Sequence, residues 1–523
     1  MPGRASATRV VAIKPRHASS RKPRKDRREI LAWSALLLGI ALVGILFMPA
    51  GVWVGDPSAW REETRSELHR FCFAVDPKVT SDFNGANEPG QYFVQNPRNG
   101  LWYSKYGIVN SLMSLPPMFV QRIVFADTSA YRAAPRVLIF NLWNVILSML
   151  LAAVLMKIAG FYSPRIWVRL AFVLCALYST FLWFYLRAQS SEVYQSLFYS
   201  AAFLCLVIFL RSLPQAHLEN ERSDPDTRAL HLMWIFIGLL VLTRVLYLIL
   251  IPGGILVVVS ALMRRPKRAR SALALQILPH LLGPPAAILT LLAIVNFVKF
   301  GSPLLSGYHQ WKPELHLPTG PLADGLFGLL LRPRFSVFLY FPLIPLGCVA
   351  AWTFMRRFPF EALAAFGGLI AFILALAKIP TWAGEWTYGP RYVLFALPVA
   401  SVPFIILLDV LADQLQKSRF LVLPLLSAIA AIVLLSTYFQ FRANELDFFA
   451  YYYLRPPQDN GVISSYFESR PVGIILDDLQ RNQDHLDSLA WFREVKTMST
   501  GAEIEAYRQN VKRVLARKNL YWF

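Results

Sequence analysis

The sequence predicts an all-α fold, a polytopic membrane helix bundle of about eleven spans. Three observations carry that reading. Of the 523 residues, 55% are hydrophobic and 16% charged, where a soluble domain carries about 25% charged, and mean hydropathy is +0.43. The apolar residues fall in repeated runs near the ~20 residues that a helix needs to cross a ~30 Å hydrocarbon core. Lys and Arg cluster beside the ends of those runs, the pattern of loops that set topology. A β-barrel would show short alternating strands instead.

The formal charge is +21. On a soluble chain this would raise nucleic acid as a partner. Here the basic residues flank spans, so membrane lipids are the expected partner and nucleic acid is not. Four cysteines make no framework: Cys175, Cys205 and Cys348 lie in apolar runs and Cys72 is alone in the first loop.

Residues 1–29 are basic, contain Ser and Pro, and lack apolar periodicity. They read as a disordered cytoplasmic tail held near anionic lipid. The run 30–54 is too long for a signal-peptide core and reads as an uncleaved first span. Residues 55–106 are polar and too long for a simple turn, so they form a long first external loop. Residues 107–126 extend it. They are apolar but hold Pro116, Pro117, Gln121 and Arg122, and read as one or two interfacial helices. With that segment external, spans follow at 136–156, 167–187, 193–211, 229–245, 246–263, 272–298, 335–355, 360–379, 391–411 and 420–440. "RRPKRAR" (264–270) and "MRRF" (355–358) then fall inside. Residues 30–441 make one transmembrane domain. Residues 442–523 are charged and aromatic, with a helical stretch near 502–518, and read as a small external C-terminal domain. No internal repeat of the transporter kind is visible.

The polar residues that remain all fall on the external side. An ionisable residue at the membrane edge is costly and is a functional candidate by default. Asp56 follows the first span; "GDPS" also makes a good turn. Glu192 starts a span, where a carboxylate equally suits the helix N-terminus. Arg244 and Arg391 suit a phosphate by guanidinium geometry, or snorkel to headgroups. Lys105 and Tyr106 resemble interface anchors as much as site residues. His309 reads as a loop histidine before it reads as a ligand. Trp382, Trp386 and Tyr388 form either an interfacial belt or a stacking wall for a sugar ring, and Glu385 stands between the two tryptophans. Charges of both signs on one face suggest an anion site with an acid beside it. There is no Cys/His metal cluster, no phosphate-binding glycine loop and no nucleophile elbow.

Five stretches in order carry a resemblance. They are Asp56 after the first span, "GLWYSKYGIVNSLMSLPP" (100–117), "LTR" (242–244), "FGSPLLSGY" (300–308) and "WAGEWTYGPRYVLFALP" (382–398). The second is similar to a Gly-x-x-Tyr-Ser-Lys-Tyr-Gly-x-x-x-Ser-Leu pattern. Together they resemble the GT-C class of integral-membrane glycosyltransferases, in the bacterial branch with protein-mannosyltransferase-like and aminoarabinose-transferase-like enzymes. The resemblance covers roughly residues 30 to 441. It implies transfer of a sugar from a polyprenyl-phosphate carrier to a glycan, lipid or protein acceptor at the external face of a bacterial plasma membrane. It implies Asp56 as the base, with Asp76 and Asp82 as substitutes. It implies Arg391 first and Arg244 second at the carrier phosphate, aided by Lys105 and Tyr106. Glu192, His309, Trp382, Glu385, Trp386 and Tyr388 are then expected around the substrate. The family's Asp-Glu pair is absent; "GDPSAWREE" stands there, so Glu62 and Glu63 join the candidates for the base. The leaving group is a lipid phosphate, so no nucleotide site is needed, and the acids of the external loop leave room for a divalent metal without ligand spacing that demands one. The competing class is a transporter or flippase of a lipid-linked or anionic solute, which predicts charges near mid-membrane in broken, repeated helices. A non-catalytic envelope scaffold predicts that Asp56 and Arg391 are replaceable.

Overall fold

The computed structural model describes residues 27–49, 56–84, 92–125, 134–187, 189–213, 225–311, 317–383, 388–445 and 500–516. The chain is a polytopic helical membrane protein. Among the described residues, nine helices are long and apolar enough to cross a membrane, and Ile166–Tyr178 and Thr227–Thr243 are shorter apolar helices.

The first helix, α1 (Arg27–Leu46), is apolar after its charged first turn. The polar stretch after it folds rather than wanders. It forms α2 (Asp56–Arg70), α3 (Pro77–Asn84) and a hairpin of β1 (Phe93–Gln95) and β2 (Trp102–Ser104). The strands pair antiparallel, Val94 opposite Tyr103. Ala59, Trp60, Val75, Phe93 and Tyr106 give this cap its own small core. Two helices follow, α4 (Ile108–Leu112) and α5 (Leu115–Phe125).

The membrane body begins with α6 (Ala134–Tyr162), α7 (Ile166–Tyr178) and the short α8 (Leu182–Leu186). At its centre stands α9 (Ser191–Ser212), buried on all sides despite its serines. It packs against α6, α10 (Thr227–Thr243) and the 391–396 turn. A 3₁₀ turn, Val245–Ile249, leads into α11 (Leu250–Met263). The next helix, α12 (Lys267–Phe300), has 34 residues and so runs for about 50 Å, longer than a hydrocarbon core. Pro279, Pro284 and Pro285 lie inside it, each removing one backbone donor, a loss tolerated in membrane helices. Gly301, at φ +77, ends it. A short helix, α13 (Gly307–Trp311), follows. Later helices include Leu343–Arg357, Pro359–Ala377, Arg391–Leu415 and Arg419–Glu445.

The outer faces of α1 and α12 leave Leu38, Leu42, Leu275, Leu289 and Ile294 exposed, as a lipid-facing surface requires. One end of the bundle is tied by charge. Arg165 pairs with Asp409 at 2.6 Å and Asp413 at 2.5 Å, and Arg169 with Glu29 at 3.1 Å. The cap sits at the other end. Of residues 442–523, the helix Gly501–Ala516 is described, and its Val511 is buried in the main core. The tail before residue 27 and most of the C-terminal segment lie outside the described residues.

Candidate functional site

The site is assembled from three short stretches that meet at the cap end. The first is Lys105–Tyr106–Gly107, which leaves β2. The second is the Thr243–Arg244 break between α10 and the 3₁₀ turn. The third is Ser306–Gly307–Tyr308 at the start of α13. Two glycines make the meeting close. A Cβ on Gly107 would overlap the carbonyl oxygens of Leu242 and Thr243, and one on Gly307 would overlap the Lys105 backbone. Asn110 locks the first contact, its side-chain amide donating to Gly107 O at 3.0 Å and Thr243 O at 3.2 Å. Tyr194 of α9 donates its hydroxyl to the same Asn110. A narrow cavity lies between the stretches, lined by Lys105, Tyr106, Arg244, Asn296, Ser306 and Tyr308. Its volume of about 20 Å³ holds little more than one water, so a phosphate enters only if a side chain moves.

Lys105 borders this cavity. It is buried, and its ammonium lies 3.4 Å from the Trp311 ring centre, with Tyr106 at 5.3, Tyr308 at 5.4 and Tyr92 at 5.9 Å. Aromatic faces attract a cation by their quadrupole, and this box holds the charge beside the cavity.

The arginines meet across one ring. The Arg244 guanidinium lies 4.6 Å from the Tyr392 ring centre and that of Arg391 lies 5.0 Å from it. Arg391 also donates to the Tyr392 hydroxyl at 3.4 Å. Arg244 faces Glu192 at a loose 3.9 Å. Glu192 is in the first turn of α9 and accepts from Ser191 at 3.2 Å. One turn on, Gln195 accepts from the Tyr247 hydroxyl at 2.8 Å.

Asp56 is the first residue of α2; its side chain lies outside the description. The helix that bears it is held near Glu192. Arg61, fully buried, donates to Gln189 at 2.8 Å and to Ser58 at 2.9 Å. Of the neighbouring acids, Glu62 faces Arg65 at 3.7 Å and Glu63 pairs with Lys299 at 2.5 Å. Asp76 accepts from the Lys78 N–H at 2.9 Å, a local turn contact. The Asp82 side chain is not described.

Burial pushes the Glu63 carboxyl up to about 7; Lys299 pulls it down and the nearby Glu67 pushes it further up. Glu67 is raised as well, again by burial, against a hydrogen bond from Ser111.

The remaining sequence candidates fall in different places. His309 shares a 2.7 Å hydrogen bond with Ser306 and so borders the cavity. Trp382 fills the space over Gly328 and meets Phe335 edge-on at 5.6 Å. Tyr388 is buried between Phe184 and Tyr340, its carbonyl accepting from Tyr185. Both rings pack against other aromatics, with Tyr388 buried and Trp382 half-buried. Glu385 and Trp386 lie outside the described residues. Tyr308, Ser306, Tyr392, Gln195 and Lys299 were not singled out by the sequence reading. Tyr308 and Tyr392 stand inside quoted motifs, a signal that was available. No group of three or more His, Cys, Asp or Glu suited to a metal occurs among the described residues.

No family model matches this chain, and no curated protein does. Among solved structures it is similar to ArnT from Cupriavidus metallidurans bound to undecaprenyl phosphate, at 14% identity and a TM-score of 0.49, over 93% of this chain and 75% of that one. ArnT in the apo state gives 16% identity and 0.46, over 93% and 76%. The archaeal oligosaccharyltransferase AglB from Archaeoglobus fulgidus, in complex with an inhibitory peptide and a dolichol-phosphate, gives 14% and 0.48. That alignment covers 94% of this chain but 60% of AglB.

Proposed function

We propose that this protein is a glycosyltransferase that moves a sugar from a polyprenyl-phosphate carrier to a hydroxyl acceptor at the external face of a bacterial plasma membrane. The observation that carries the reading is the convergence of Lys105 and Arg244 on one cavity, with Arg391 linked through Tyr392. Cations fixed in a water-poor site are suited to a leaving phosphate, whose charge grows as the sugar departs.

The chemistry needs few parts. The acceptor oxygen attacks the anomeric carbon and the bond from that carbon to the phosphate oxygen breaks. The hydroxyl proton passes to a base, a role we give to Asp56. The phosphate leaves with one more negative charge, met by Lys105, Arg244 and Arg391. Tyr106, Glu192 and His309 border the sugar. A second cavity of about 310 Å³ suits part of the isoprenoid chain. It is apolar and lined by Leu250, Gly253, Gly254, Leu256, Ala364 and Gly368, and another wall residue, Ile249, lies five positions beyond Arg244. The transporter alternative places its charges at mid-membrane. Here the buried pairs Glu63–Lys299 and Glu192–Arg244 stand at the cap end.

The test is carrier binding and turnover by the purified protein. Wild type is expected to bind one polyprenyl-phosphate sugar and release polyprenyl phosphate when acceptor extract is added. Arg391→Ala and Arg244→Ala are expected to lose binding, and Asp56→Asn to bind without release. Wild-type behaviour in all three variants would overturn the reading.

A further inference from the structure

We propose that Lys299 is a positioning residue of the anion site, and that its partner Glu63 adjusts the charge of that site by exchanging a proton, so that phosphate is held more tightly when Glu63 is neutral. The proposal rests on the glycosyl-transfer reading and names a control built into it.

Lys299 is the penultimate residue of α12 and is 1% exposed; Glu63 is fully buried. Besides its 2.5 Å contact with Glu63, the Lys299 ammonium donates to Tyr106 O at 2.9 Å. That carbonyl belongs to the peptide joining Tyr106 to Gly107, which lies on Leu242 and Thr243. The adjacent Phe300 carbonyl accepts from Gln310 of α13 at 2.8 Å. One end of α12 thus grips α2, the stretch that carries Lys105, and the helix that carries His309 and Trp311.

The groups facing Glu63 are few. From α12 comes Lys299. From α2 itself comes Glu67, one turn on, and from β2 the Ser104 hydroxyl. From α4, Ser111 donates to Glu67 at 2.7 Å. Two carboxyls therefore share one buried ammonium. Like charges out of water do not both ionise readily, and the two titrate as a coupled pair. The upward push on both carboxyls agrees with this geometry. Glu62 on the same helix is turned to Arg65.

The consequence is a matter of charge. With Glu63 ionised, Lys299 is cancelled. With Glu63 neutral, Lys299 adds a cation behind Tyr106, a residue that lines the cavity with Lys105 and Arg244. The proposed reaction converts a phosphodiester of charge −1 into a monoester of charge −2 and frees the acceptor's proton. Uptake of one proton at Glu63 offsets the charge that the phosphate gains.

The experiment uses the full chain in nanodiscs and a polyprenyl methyl phosphodiester, whose own charge is constant from pH 5.5 to 8.5. Wild type is expected to bind it several-fold more tightly at pH 5.5 than at pH 8.5. Glu63→Gln should bind at all pH values as wild type does at pH 5.5, and Glu63→Asp should keep the slope. Lys299→Met should bind weakly without slope, with Lys299→Arg restoring both. His309→Gln, which removes the histidine beside Ser306, should leave the slope in place. A flat wild-type profile, or a slope unchanged in Glu63→Gln, overturns this inference alone. Failure of wild type to bind at any pH overturns the glycosyl-transfer reading together with it.

Discussion

Gly107 and Gly307 are small because another backbone occupies the space of their side chains. An alanine at either position would force Leu242–Thr243 or Lys105 outward, and overpacking of this kind costs about 1–3 kcal/mol. Gly107→Ala is expected to lower the thermal midpoint in detergent and to weaken carrier binding together. A variant that unfolds earlier but binds normally would show that the contact is structural only. At Arg244 the chemistry is different. A lysine there keeps the charge but loses the planar fork and the stacking on Tyr392, so Arg244→Lys should lose about tenfold in carrier affinity, read by titration. Glu63 sets a stability trend. Its folded-state pKa of about 7 lies above the ordinary 4.5, so between those values the folded state binds more protons than the unfolded one. Stability is therefore greatest below about 4.5, falls as pH rises to about 7, and is level above. The slope is on the order of 1.4 kcal/mol per unit for a single group. Unfolding midpoints at pH 5 and pH 8 should show this fall in wild type and a reduced one in Glu63→Gln.

Helices hold the parts of the site that no single motif reveals. The apolar groove is walled by α9, α10, α11 and Pro359–Ala377. Gly253 faces empty space, with nothing within 4 Å of an added Cβ. Gly253→Phe is therefore expected to fold and to fill the groove. It should raise KM for a long-chain carrier about tenfold, the loss of a few buried methylenes, and leave a short-chain analogue unaffected. Equal effects on both would remove the groove from the carrier's path. The membrane helices themselves were largely legible, because each needs an apolar run, although the expected span 167–187 is broken after Tyr178 into two helices and 335–355 is broken after Tyr340. The motif residues Lys105, Arg244 and Glu192 were legible for the same reason, since membrane-edge charge is rare. The Glu63–Lys299 pair was not, because nothing in the local pattern of α2 or α12 tells which distant charge will meet it. The surroundings of Trp382 and Tyr388 were not legible, because an aromatic beside an arginine motif has the same composition whatever its ring packs against, here Phe335 for Trp382 and Phe184 and Tyr340 for Tyr388.

The topology of the whole molecule turns on the segment 108–125. By length and hydropathy it is the weakest of the nine candidates, at 1.2. Counting it as a span would reverse every later loop. Its contacts argue otherwise. Near its start, Ser111 donates to Glu67 of α2 and accepts from Thr64 at 2.8 Å. Near its other end, Arg122 donates to Leu68 O at 2.8 Å. Both ends thus touch the same turn of α2, a helix whose sequence, "DPSAWREETRSELHR", is too charged for the hydrocarbon core. A segment crossing a ~30 Å core could not keep both ends there. It lies along α2, and we propose that the basic stretch 264–270 accordingly faces the same side as the start of α1. Single cysteines placed at 10, 265 and 304 in a background with Cys72, Cys175, Cys205 and Cys348 replaced by Ser would decide it. An impermeant thiol reagent applied to right-side-out vesicles should reach 304 and spare 10 and 265. Labelling of 265 with 304 spared would mean that 108–125 crosses, which would put Lys105 and Arg244 on the side opposite to the one proposed, or on different sides, and would separate the cation cluster from an external carrier.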